Sequence, residues 1–289
     1  MLTHLKHRYG DVLKRVITVF SKDKRVQAII LNGSRANPHA KIDDYSDYDV
    51  HMLVDDYTQY KNDLSWLEPF GSVAMKQVNP SKGERLFYND DMRGCAVLVL
   101  FKDDKRIDFS FSNYAEFDAQ KADSLSIVLY DKTNTLKLSK PKEKDYYFEE
   151  PNQDTFDFVE NEFYWCLTNV MKGLVRNEIP YAKSMFDVHV RQALIAMMTW
   201  YCFARHGSCI NVGKYGKWLK HYCDKTTYKA FLKTYADGSI KAMTKAVFKS
   251  TELFESIASR VAQHYDLTRD HHSITHVIKH LKRLSKALD

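Results

Sequence analysis

The sequence predicts an α+β protein of two domains: a mixed β-sheet with helices over residues 1–145, then an α-helical bundle over 146–289. Three observations carry this reading. Up to about Lys140, short β-branched or alternating runs are separated by polar loops. From Thr155 onward, apolar residues recur at three- and four-residue intervals instead. Between the two, Pro141 to Pro151 is polar and charged and carries two prolines, as a domain boundary should. A chain of 289 residues is long enough for one large domain or two ordinary ones with a sizeable core.

The first half begins with a helix, on which Leu5, Val12, Val16, Val19 and Phe20 give one apolar face. Val26–Leu31 is apolar and β-branched, a strand. Tyr48–Val54 alternates, with Tyr48, Val50, Met52 and Val54 on one side and Asp49, His51 and Leu53 on the other. Tyr57–Leu67 is a helix candidate. Cys95–Phe101 is a continuous apolar run, expected of a strand buried on both faces. Arg106–Phe111 sets Ile107, Phe109 and Phe111 against Asp108 and Ser110, with 102–105 as the hairpin turn between these last two strands. Ser126–Leu129 is a further short strand.

The second half is read as helices. Phe156, Val159, Phe163, Leu167, Val170, Met171 and Leu174 form one apolar stripe. Pro180 separates it from a helix over Ala182–Ala204. Further helices are expected over Lys214–Tyr222, Thr227–Tyr235, Ile240–His264 and His272–Leu288.

Composition excludes several classes. Forty-three Lys+Arg against 37 Asp+Glu give +6, a mild excess without the dense basic stripe of a dedicated nucleic-acid binder. No stretch approaches ~18 consecutive apolar residues, so no membrane helix is expected. Lys6, Arg8, Asp11, Lys14 and Arg15 interrupt the N-terminal apolar residues, so no secretory signal is read there. The five cysteines are odd in number and form no CxxC pair, which fits a reduced, cytoplasmic protein.

The chemistry is concentrated in the sheet domain. A strand runs into Gly33-Ser34, where glycine permits a tight turn and serine can cap a helix whose free N–H groups accept phosphate. Asp47 and Asp49, at i and i+2, share a strand face. Two like charges at ~4 Å repel by about 4 kcal/mol at an effective dielectric of ~20, so such a pair needs solvent or a cation. Asp108, on the polar side of its own strand, can complete a three-carboxylate set. Oxygen ligands in that number suit Mg²⁺ shared with substrate phosphates. An isolated Asp-x-Asp is more often a solvated turn, and Asp43-Asp44, Asp55-Asp56 and Asp103-Asp104 are read that way.

Gly-Ser at a strand end, then Asp-x-Asp, then a third strand carboxylate resembles the polymerase-β-type nucleotidyltransferase superfamily. More narrowly, the chain resembles the aminoglycoside 6-adenylyltransferases (streptomycin adenylyltransferases). The segments LNGSRANP, DYSDYDV, WLEPFG, RIDFSF, NEFYW, VMKGLVRNEIPYA and MMTW carry that resemblance through most of the chain, in order. It implies a nucleotidyltransferase catalytic domain and a helical substrate-binding domain. It further implies Mg²⁺-dependent transfer of AMP from ATP to a hydroxyl of a cationic aminoglycoside, an antibiotic-resistance activity. Gly33, Ser34 and Arg35 would cradle the triphosphate, with Lys214 and Lys217 as further phosphate contacts. Asp47, Asp49 and Asp108 would be the catalytic and metal-binding carboxylates, Asp108 as ligand or as base. Glu162, Asp187 and Arg191 would contact the acceptor. Glu162 can sit at the edge of its helix, facing the cleft. Asp187 and Arg191, at i and i+4, are also spaced for a surface ion pair worth ~0.3–0.5 kcal/mol. Ser184 stands where family members often carry Asp. His272, His276 and His280 share a helical face, read as a solvated helix surface rather than a metal site.

Overall fold

A computed structural model describes residues 6–80 and 94–288. The Leu5 position of the predicted N-terminal face lies outside the described residues. The chain divides into two compact units, Met1–Asp145 and Tyr146–Asp289.

In the first unit, α1 (Lys6–Phe20) is kinked at Gly10, whose φ of 52° is left-handed. It precedes β1 (Val26–Asn32), a single helical turn α2 (Gly33–Ala36) and β2 (Tyr48–Val54). Then come α3 (Thr58–Asn62), β3 (Val73–Asn79), β4 (Cys95–Phe101), β5 (Arg106–Asn113) and β6 (Ile127–Asp131). They form one six-stranded sheet in the order β3-β4-β5-β2-β1-β6. All neighbours are antiparallel except the central pair β2 and β5.

Alternation decides the two faces. Val50, Met52, Val54, Ile107, Phe109 and Phe111 point one way and pack with Leu13, Val16 and Phe20 of α1. Tyr60 stacks on Phe111 at 4.6 Å, and Trp66 meets Phe109 edge-on at 4.9 Å. The other face holds a smaller cluster of Ala28, Ile30 and Leu53. Asp49 and Asp108, out of phase with the large core, belong to that thinly covered face.

Two expected elements differ in the structure, and one strand was not expected. Tyr57–Leu67 is not one helix. It breaks after Asn62, where the Asp63 carboxylate accepts the N–H and hydroxyl of Ser65 and starts a separate 3₁₀ turn, Ser65–Phe70. Strand β4 is not buried on both faces. Cys95, Val97, Val99 and Phe101 are buried, whereas Leu100 is exposed on the other side. Strand β3 had no sequence signal, because an edge strand paired on one side needs little burial.

The second unit is helical: α4 (Gln153–Val175), α5 (Ile179–Ser184), a π-helical turn (Met185–Val190), α6 (Arg191–His206), α7 (Leu219–Tyr222), α8 (Lys225–Leu232), α9 (Ile240–Tyr265) and α10 (His271–Ser285). Asn152 and Thr155 form a reciprocal capping box at the start of α4. The predicted stripe of α4 is the core of this unit, with Phe163 stacked on Phe254 of α9 at 3.8 Å. The Cys202 and Cys223 sulfurs lie 2.8 Å apart, and all five cysteines are free thiols. No described helix is long and apolar enough to cross a membrane.

Candidate active site

The two central strands bring the carboxylates together. Asp49 of β2 stands beside Asp108 of β5 in the parallel register, so both side chains leave the same face at the same level. On its other side Asp49 is paired with Asn32, the last residue of β1. Asp47 lies just before β2, in the approach loop rather than within the strand.

A guanidinium ties this set. Arg106 is two residues before Asp108 on β5, hence on the same face. Its Nε and Nη2 donate to the two Asp108 oxygens at 3.0 and 2.7 Å, while Nη1 lies 3.4 Å from Asp47 Oδ2. Sequence reasoning assigned Arg106 no role, although Arg-x-Asp on a strand was a readable signal. The hydrogen bond to Asp108 holds the Arg106 guanidinium above its usual pKa. Burial raises the Asp49 carboxyl to about 6, and repulsion from Asp108 and Asp47 adds to this. Burial also raises Asp47, opposed by Arg106. The site is therefore a carboxylate cluster short of positive charge, with Arg106 as partial compensation.

Gly33 closes the cluster from the β1 side. Its φ is +68°, and a methyl in place of its hydrogen would lie 2.2 Å from Asp49 Oδ2 and 3.0 Å from its Cγ. Here glycine is required both for the backbone and for the carboxylate it touches. Gly33→Ala is expected to displace Asp49 and cut turnover about 10²-fold. Steady-state kinetics beside a thermal melt check this, since a purely structural effect would lower the melting temperature without changing kcat of the folded fraction.

Ser34 comes next after Gly33 in α2 and is partly exposed. Arg35 is buried. Its Nε donates to the Asp47 carbonyl at 2.9 Å and Nη2 to that of Ser46 at 2.8 Å, and the guanidinium lies 3.7 Å over the Tyr48 ring. It holds the loop that presents Asp47. Asp43, Asp44, Asp103 and Asp104 are exposed, as expected of solvated pairs. They also line, with Asp47, Arg35, Lys105 and Arg106, an open cleft of about 650 Å³.

The match to known proteins extends through both units. The family model described as streptomycin adenylyltransferase matches residues 7–284. This chain belongs to that family. Among its relatives, an aminoglycoside 6-adenylyltransferase of Bacillus subtilis (strain 168) is 31% identical over 244 residues, 83% of this chain and 85% of the relative. One from Campylobacter jejuni is 31% identical over 258 residues, 89% of this chain and 88% of the relative. A crystal structure of an aminoglycoside 6-adenyltransferase from Bacillus subtilis covers 95% of this chain and 97% of its own, at 24% identity and a TM-score of 0.48. The chain is thus a nucleotidyltransferase of the streptomycin adenylyltransferase family.

The remaining predicted residues of this family member fall in the helical unit. Glu162 is half-exposed on α4, 3.3 Å from the Cys166 thiol, which donates to it. The surface ion pair between Asp187 and Arg191 is not formed. Arg191 turns inward to Thr234 and Tyr235, and Asp187 pairs with Lys183, one turn earlier, instead. Arg191 is buried at 6% exposure. It donates to the Thr234 hydroxyl and, at 3.1 Å, to the Thr234 carbonyl, and its guanidinium lies 3.8 Å over the Tyr235 ring. The Arg191 side chain is thus held by contacts within the helical unit. Lys214 and Lys217 lie in and just after a 3₁₀ turn, each beside its neighbouring aromatic ring, Tyr215 and Trp218. Ser184 is exposed at the end of α5. His272 and His276 are exposed, and His280 accepts from Arg283 at 2.9 Å, in keeping with a solvated helix.

Proposed function

We propose that the enzyme transfers AMP from ATP, with Mg²⁺, to a hydroxyl of an aminoglycoside and releases pyrophosphate. The observation that supports this most is the joint projection of Asp49 and Asp108 from adjacent parallel strands, with Asp47 within reach of the same Arg106. The names of the relatives supply the acceptor class.

The donor set fits a hard divalent cation. It is all oxygen, burial and then the neighbouring carboxylates raise the Asp49 pKa, and a cation would relieve the repulsion from Asp108 and Asp47. Asp47, Asp49 and Asp108 would hold Mg²⁺. Bound there, Mg²⁺ would supply positive charge to offset the charge developing on the α-phosphate of ATP. The chain's own residues do the positioning. Gly33 fixes the distance between the β1 turn and Asp49. Arg35 fixes the Asp47 loop through the Ser46 and Asp47 carbonyls. Arg106 orients the Asp108 carboxylate by a two-point hydrogen bond. Asp108, thus oriented, would serve as a metal ligand or as the base that takes the proton of the attacking hydroxyl. The acidic rim of the cleft suits a polycationic acceptor.

The test is incubation with ATP, Mg²⁺ and a panel of aminoglycosides, with mass detection. The expected result is an AMP adduct on at least one aminocyclitol, together with pyrophosphate. No adduct with any of them would overturn the acceptor. Ser184 in place of the family's acidic residue favours one second reading, the same transfer to a different small-molecule or protein hydroxyl. Mg²⁺-dependent ATP consumption without any aminoglycoside product would select it.

A further inference from the structure

We propose that Glu162, Cys166 and His189 form a zinc-binding site in the helical unit. Glu162 and Cys166 are four residues apart on α4, one above the other on a single face. His189 comes from the π-helical turn packed against α4. The three donor atoms lie within 4.8 Å of one another. The Cys166 Sγ to Glu162 Oε1 distance is 3.3 Å, and His189 Nδ1 to the same oxygen is 3.6 Å. In a tetrahedral zinc site with ordinary Zn–S, Zn–N and Zn–O lengths, neighbouring donors lie about 3.3–3.6 Å apart. Two edges of that tetrahedron are already in place.

The chemistry selects the ion. One sulfur, one imidazole nitrogen and one carboxylate oxygen make a borderline set that suits Zn²⁺ and not Mg²⁺ or Ca²⁺. The local backbone agrees. A π turn inserts one residue and rotates the downstream helix by about 100°, and such turns concentrate at functional positions. Burial is graded. Cys166 is 3% exposed, whereas the Glu162 and His189 side chains are 36% and 48% exposed. The thiolate side is closed and the carboxylate–imidazole side is open, leaving room for water or a solute ligand as the fourth donor. A hydrogen-bonded Cys–Glu–His group without metal is the competing explanation, and it binds no cobalt.

Cobalt substitution decides between them. Co²⁺ added to the full-length, metal-free protein is expected to bind at one equivalent with the visible bands of tetrahedral Co²⁺ and a thiolate-to-cobalt charge-transfer band, both removed by Zn²⁺. Cys166→Ser should lose the charge-transfer band. His189→Ala, a change at a half-exposed position, should weaken Co²⁺ binding tenfold or more. Asp49→Asn should keep the band, separating this site from the sheet carboxylates. Absence of a thiolate band overturns the proposal. So does a band that survives Cys166→Ser, or Co²⁺ affinity unchanged in His189→Ala.

Discussion

Asp49→Asn is expected to abolish transfer and at the same time to raise the melting temperature. The loss arises from position. Asp49 is the carboxylate between Asn32 and Asp108 in the sheet, with Gly33 against it. Its removal takes away the central carboxylate of the proposed metal site and should cost at least ~10³-fold in rate. The gain arises from the raised pKa. A carboxyl moved from 3.8 to about 6 is penalised when ionised in the folded protein. Because the folded pKa is the higher one, the folded state binds the extra proton. The penalty is then full above pH 6 and fades as pH falls toward 3.8. A shift of this size corresponds to about 3 kcal/mol at most, and roughly 1–3 kcal/mol is a fair range for a partly solvated group. Thermal melts in chelator should therefore show Asp49→Asn above the parent at about pH 7.5, with the gap roughly halved at about pH 5 and closing below about pH 4. A variant that melts at or below the parent at the higher pH would remove the electrostatic account of this site.

Arg269→Ala is expected to cost about 3–5 kcal/mol in the helical unit. Arg269 lies just past the end of α9, and its side chain is 2% exposed. Nε donates to Glu160 Oε1 at 2.8 Å, Nη1 to the Ser259 hydroxyl at 2.7 Å and Nη2 to Glu255 Oε1 at 2.6 Å. The Tyr164 hydroxyl donates to the same Glu255 oxygen. Glu160 is 7% exposed, and burial raises its pKa against the pull of Arg269. Without the guanidinium, Glu160 is a buried charge beside Glu255 with no cation. A drop of about 10 °C in melting temperature is the expected scale. Part of it should return on acidification, as Glu160 protonates. Glu160→Leu combined with Arg269→Met should recover most of the stability, because the buried charges leave together. A melting temperature for Arg269→Ala within about 2 °C of the parent, well under this scale, would show the network to be idle.

The readable part of the sequence is the local part. Val50, Met52 and Val54 alternate with Asp49 because a strand has period two, and that alone placed Asp49 off the large core. The stripe from Phe156 to Leu174 marked α4 for the same kind of reason. The unreadable part depends on partners distant in sequence. Nothing in Val73–Asn79 shows that β4 will pair with it. The bond of Arg35 to the Asp47 carbonyl spans twelve residues, and Arg269 meets Glu160 across 109. Asp187 and Arg191 have the spacing of an ion pair, but Thr234 and Tyr235, more than forty residues on, take Arg191 inward and leave Asp187 to Lys183. Glu162, Cys166 and His189 were seen singly, and only the packing of that turn on α4 joins them.

Isotope partition tests nucleotidyl transfer at Asp47, Asp49 and Asp108 most directly. ATP labelled at the α-phosphate and ATP labelled at the γ-phosphate are each turned over with Mg²⁺ and an aminoglycoside. The predicted result is α-label on the acceptor and γ-label in pyrophosphate, both lost in Asp108→Asn. Label from the γ-phosphate on the acceptor, or α-label transfer undiminished in Asp108→Asn, would contradict it.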